Sequence, residues 1–100
     1  MGVTSEVFGD TTTIKVSGRF DFAVQNEFRD CYRGTSADDG AKFIVDMSNA
    51  NYMDSSGLGM LLMMREHLGG EKAQISITNC SPDIENILHV ANFQSLFKMK

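Results

Sequence analysis

Hydrophobic residues recur along this chain with two different periods, and the two kinds of segment take turns. Glu6-Val7-Phe8 and residues 11–16 flank Gly9-Asp10, and in the second run Ile14 and Val16 alternate with Thr13, Lys15 and Ser17. Such alternation marks strands with one buried face, and a glycine-first pair between them predicts a hairpin with a II′ turn. Gly18-Arg19-Phe20-Asp21 ends the second strand. Asp21 then caps a helix over residues 22–33, since a short acid accepts from the free N–H groups of a first turn. Its apolar stripe is Phe22, Val24, Phe28, Cys31 and Tyr32.

Residues 34–40 are polar and read as a loop, whereas 41–47 form a short, continuous apolar run with Asp46 near its end. Such a run predicts a central parallel strand covered on both faces. Ser48-Asn49-Ala50-Asn51 reads as another loop. A second helix then runs to about Leu68 and is stopped by Gly69-Gly70. At about 100° per residue, Gly57, Met60, Leu61, Met64 and Leu68 share one side of it, and Leu62 and Met63 point away beside Gly59 and Glu66. Residues 73–78 alternate again. Ser81 caps a third helix with Pro82 at its first position and Asp83 and Glu85 at its positive end; Ile84, Ile87, Leu88 and Ala91 form its stripe. Phe93, Leu96, Phe97 and Met99 close the chain as a last short strand or helical turn.

The order β-β-α-β-α-β-α predicts an α/β fold: a mixed β-sheet of about four to five strands with helices packed on it. One hundred residues with 42% hydrophobic and 22% charged positions make a single domain over residues 1–100. The net charge of −4, with lysines and arginines scattered, speaks against a nucleic-acid module. No apolar stretch is long enough to span a bilayer, so no membrane insertion is expected. The first residues lack the charged and apolar regions of a signal peptide, and Gly2 with Thr4 and Ser5 matches a myristoylation pattern poorly. Cys31 and Cys80 have no metal-ligand spacing and read as reduced thiols of a cytoplasmic protein; neither metal nor cofactor is expected.

The candidate chemistry sits at the start of the second helix, in Asp54-Ser55-Ser56-Gly57-Leu58-Gly59. The first turn of a helix has free N–H groups and roughly half a positive elementary charge. A phosphate on Ser55, or alternatively Ser56, is tolerated there and adds about −1.5 to −2 charge beside Asp54, enough to repel a docked partner. A simple capping role for Ser55 is the plainer alternative. Gly59 costs about 1 kcal/mol inside a helix and lets a backbone approach, either a partner's or this chain's own sheet. Leu62 and Met63 are candidates for an adaptable binding surface, unless the helix is buried on both sides. Catalysis is not expected: the Gly-x-Ser-x-Gly elbow is missing around Ser55, His67 and His89 are isolated on helices, and no Gly-Lys-Ser/Thr follows the glycines.

Asp54-Ser55-Ser56-Gly57-Leu58-Gly59 after Phe43-Ile44-Val45-Asp46 resembles the hallmark of STAS domains of the anti-sigma-factor-antagonist type. Gly18-Arg19-Phe20-Asp21, the glycine pair before Glu71, Asn79-Cys80-Ser81-Pro82 and Phe93 with Leu96-Phe97 agree with it, so the resemblance covers nearly the whole chain. It implies a partner-switching regulator. The unphosphorylated form binds a serine kinase that doubles as an anti-sigma factor, phosphorylation releases it, and a PP2C-type phosphatase resets it. The implied acceptor is Ser55, with Ser56 a supporting hydroxyl or alternative acceptor. The resemblance places Asp21 near the kinase-binding surface; together with the residues read above, the candidate partner-binding positions are Asp21, Asp54, Ser56, Gly57, Gly59, Leu62 and Met63. Arg19 departs from the pattern, which often has an acid there. The alternative within the same family is a non-switching docking subunit of a transport system or other complex.

Overall fold

The computed structural model describes residues 2–35 and 40–100. Strand β1 (Val3–Phe8) and strand β2 (Thr11–Phe20) form the opening hairpin. Phe8 pairs with Thr11, leaving Gly9-Asp10 as the two-residue turn, and Gly9 takes a φ of 66° that costs a glycine little. The first strand begins at Val3, earlier than its side-chain pattern indicates.

A short 3₁₀ turn (Phe22–Val24) leads into helix α1 (Gln25–Asp30), so the segment predicted as one helix over 22–33 is regular for only half of that length. Asp21 caps it as expected, its Oδ1 accepting from Ala23 N at 3.0 Å. Val24, Phe28 and Tyr32 point inward, but Phe22 is 66% exposed because the tighter 3₁₀ turn rotates it out of the stripe. Of the loop expected over 34–40, residues 36–39 lie outside the described residues.

Strand β3 (Lys42–Met53) is the largest departure from expectation. Ser48-Asn49-Ala50-Asn51 is strand, not loop. It pairs with the extended end of β2, where Ser17 faces Asn49, Gly18 faces Ala50, Arg19 faces Tyr52 and Phe20 faces Met53. Two register shifts, near Val16 and at Gly18, break the alternation there, which is why the sequence pattern hides the strand.

Helix α2 (Ser55–His67), strand β4 (Gln74–Thr78), helix α3 (Pro82–Val90), a 3₁₀ turn (Phe93–Ser95) and strand β5 (Lys98–Met99) complete the chain. The tail is thus both a helical turn and a short strand. Gly69, with φ 109°, ends α2, and Ser81 Oγ caps α3 by accepting from Ile84 N at 3.3 Å.

The five strands lie in chain order, β1-β2-β3-β4-β5, with β2 to β5 parallel. Crossovers of one hand between strands added in one direction put their helices on one face. The core follows: Ile14, Val16, Phe43, Val45, Met47, Ile75 and Ile77 meet Phe28, Leu61, Met64, Ile84 and Leu88 in a single cluster. The prediction that β3 is covered on both faces is therefore corrected. Its burial alternates, with Ile44 and Asp46 only half-buried on the other face. That face is polar; a groove of about 260 Å³ on it is lined by Thr11, Ile44, Gln74, Ser76 and three lysines, Lys42, Lys98 and Lys100.

Candidate functional site

The parallel register delivers the end of β3 to the start of α2, at the C-terminal end of the strands where β2 also ends. Phe20 and Met53, the last paired residues of β2 and β3, are buried and form the seat of the helix. Gly57 sits on that seat. A Cβ there would lie 2.7 Å from the Phe20 carbonyl oxygen and 3.0 Å from Met53 Cγ, so only glycine allows this approach. Gly57 is buried, and the close approach it permits is to its own chain rather than to a partner. Gly59 is the reverse case: a Cβ there would meet nothing within 4 Å, so packing on this chain's own sheet does not explain it.

The cap is Asp54, not Ser55. In extended conformation, Asp54 accepts from Ser56 N at 3.0 Å and Gly57 N at 3.3 Å through Oδ1. Ser56 Oγ donates to the same oxygen at 2.5 Å, and Tyr52 Oη donates to Oδ2 at 3.3 Å. These four bonds, with Ser56 Oγ foremost and partial desolvation opposing them, hold the Asp54 carboxyl below its ordinary range. The two serines are thereby separated. Ser56 is half-buried and its hydroxyl is committed to Asp54; Ser55, at the first helical position, is exposed and makes no side-chain hydrogen bond among the described residues.

Around this corner lies a surface of mixed character. Leu62 is 40% and Met63 51% exposed on α2, while Met60, Leu61, Met64 and Leu68 are buried, as the helical wheel predicts. The helix is therefore not buried on both sides. Phe22 stands on the adjoining 3₁₀ turn. Arg19 joins the two parts: its Nε donates to Asp21 Oδ2 at 3.0 Å, and its guanidinium carbon lies 3.8 Å from the centroid of the Tyr52 ring. The Asp21 carboxylate first, and Tyr52 after it, keep that guanidinium firmly protonated.

A family model described as the STAS domain matches residues 3–100. The chain belongs to the STAS family. A STAS-domain containing protein of Pseudomonas aeruginosa (strain UCBPP-PA14) is 50% identical over 91 residues, which are 91% of this chain and 89% of that one. Among solved structures, the anti-sigma factor antagonist SpoIIAA in its unphosphorylated form superposes with a TM-score of 0.73 at 24% identity, over 98% of this chain and 86% of that one. A sulfate transporter family protein from Wolinella succinogenes reaches 0.70 at 18% identity, over 93% and 80%. At those identities the likeness is one of fold.

Within this STAS domain the structure brings Asp21, Asp54, Ser55, Ser56, Gly59, Leu62 and Met63 around one corner and withdraws Gly57 into the core. Sequence reasoning missed Phe22 and Tyr52 as parts of this surface. Phe22 fits the predicted helical stripe, and Tyr52 follows the 48–51 segment that reads as loop, with no role of its own in the pattern. The Asp54 cap was legible in principle, since a short acid directly before a helix is a strong capping signal. The remaining reactive groups are elsewhere. His67 Nε2 donates to the Thr35 carbonyl at 2.8 Å, a structural role. Burial pushes both thiols up, Cys80 to about 11, so they stay protonated at neutral pH.

Proposed function

We propose that this STAS domain is a partner-switching regulator of the anti-sigma-factor-antagonist type, with Ser55 as its phosphorylation site. Unphosphorylated, it docks on a serine kinase that also serves as an anti-sigma factor. Phosphorylation by that kinase releases it, and a PP2C-type phosphatase returns it to the docking form. It acts in the cytoplasm, and by binding rather than by turning over a substrate.

The observation that carries this reading is the division of labour between the two serines. A kinase needs a hydroxyl that is exposed and not already engaged. Ser55 has that environment, whereas Ser56 Oγ is bound to Asp54. Because Asp54 makes the cap, modifying Ser55 leaves the helix start intact. The phosphate would add about two negative charges next to Leu62, Met63 and Gly59, and an apolar or acidic docking face would no longer fit. Ser56 keeps a supporting role, holding the Asp54 carboxylate in place.

The test is incubation with a serine kinase of the anti-sigma type and ATP, followed by intact-mass measurement and phosphopeptide mapping. One phosphate on Ser55 is expected, none on Ser55→Ala, and loss of kinase binding in Ser55→Asp. No phosphate, together with unchanged binding by Ser55→Asp, would reject the switch and leave a non-switching docking subunit. Mapping of the phosphate to Ser56 would reassign the acceptor.

A further inference from the structure

We propose that Arg19 contacts the phosphate of this switch: once Ser55 is phosphorylated, the guanidinium leaves Asp21 and pairs with the new group beside Tyr52. The inference rests on Ser55 being the acceptor, and adds a residue that reads the modification within the protein itself.

The geometry starts from the register. Arg19 faces Tyr52 in the paired ends of β2 and β3, one rung before Phe20 and Met53, which seat α2. The guanidinium lies over the Tyr52 ring, and the hydroxyl of that ring donates to Asp54, the residue immediately before Ser55. Arg19 is thus separated from the Asp54 carboxylate by one aromatic ring and one hydrogen bond. Its side chain is 62% exposed, and it is held by a single ion pair and the face of a ring. Solvent screens the guanidinium end of this pair, although the Asp21 side chain is only 16% exposed, so the pair is weaker than a fully buried one and can be exchanged for a stronger anion.

A phosphate changes the competition. Asp21 offers Arg19 one charge through one oxygen, the other oxygen being occupied by Ala23 N. A phosphoserine offers nearly twice the charge and three acceptor oxygens, and the planar fork of arginine matches two of them at once. Asp54, Asp21 and Arg19 are the charged groups that the hydrogen bonds and ring contact at this corner link among the described residues. A second anion beside Asp54 raises the need for a cation there, and Arg19 is the cation whose contacts already reach it. The exchange also carries the signal across the surface. When Arg19 moves, the Asp21 carboxylate is left without its partner next to exposed Phe22, so the docking face changes at two places rather than one.

The test uses the full chain with phosphoserine installed at position 55 during translation, which needs no kinase. Phosphorus NMR follows the second ionisation of the phosphate against pH in the parent, Arg19→Gln and Arg19→Lys proteins. Arg19→Gln is expected to raise the proton affinity of the phosphate roughly three- to tenfold, with Arg19→Lys recovering part of the change and high salt shrinking it. The Arg19 Nε–H resonance should also move on phosphorylation. Superimposable titrations of the parent and Arg19→Gln proteins, both folded by their amide spectra, would overturn the proposal. Absence of phosphate after kinase treatment, together with unchanged binding by Ser55→Asp, is a separate result: it would overturn the switch reading without altering these curves.

Discussion

A Cβ on Gly57 would stand 2.7 Å from the Phe20 carbonyl oxygen, while one on Gly59 would meet nothing within 4 Å. Two glycines in one helix therefore answer the same substitution in opposite ways. Gly57→Ala forces α2 off its seat and should cost about 1–3 kcal/mol, read as a lower urea midpoint. Gly59→Ala removes backbone freedom from the unfolded chain and should stabilise by about 0.5–1 kcal/mol. If Gly59 faces the partner, the same variant should bind the kinase more weakly, so stability and binding will move apart. Asp54 supplies a pH prediction. Its carboxyl is held below the ordinary value of 3.8 by hydrogen bonds to the ionised form. The stabilisation is present above the unfolded value and lost as pH falls through the lower folded one, so the cap should open only in acid. Carboxyl carbon NMR of Asp54 against pH checks this. Asp54→Asn, which keeps an acceptor oxygen, should fall less in urea midpoint than Asp54→Ala.

At the scale of elements, α2 divides its apolar residues between two tasks. Leu61 and Met64 are fully buried, while Leu62 and Met63, next to them in sequence, face solvent. Leu61→Ala should cost about 2–5 kcal/mol, and Leu62→Ser should stay within about 0.5 kcal/mol of the parent while weakening partner capture. Chemical denaturation and a pull-down with the kinase separate the two outcomes. The short α1 is anchored by its aromatic residues. Phe28 meets Phe20 of β2 edge-on at 5.0 Å and Tyr32 at 5.8 Å, and Tyr32 meets His67 of α2 at 5.3 Å. This row links β2, α1 and α2. Six helical residues cannot hold a helix alone, so packing by these rings sustains it.

At the scale of the molecule, the sheet has an inside and an outside. All three helices serve one core, and the outer face carries Lys15, Lys42, Ile44 and Asp46. The Ser55 corner lies at the C-terminal ends of the parallel strands, and the lysine-lined groove lies toward their N-terminal ends. Ends of strands where chain direction changes are where binding residues can be exposed without opening the core.

The sequence alone determined the types and order of the elements from β1 to α3, the hairpin turn, the stop at Gly69-Gly70, the start at Ser81-Pro82, and the inward and outward sides of α2. Each is a local matter of side-chain period or of one residue's backbone preference. It also marked residues 54–59 as the place of interest. Tertiary structure decided what depends on neighbours distant in the chain. Pairing with β2 made a strand of residues 48–51, because backbone partners outweigh a polar stretch with no alternation. Sequential strand order put the helices on one face, which no single strand's composition reveals. The same pairing set Arg19 on Tyr52 and Gly57 against Phe20. Two adjacent hydroxyls in the sequence became one engaged with Asp54 and one left exposed, because a cap is defined by where the backbone enters the helix.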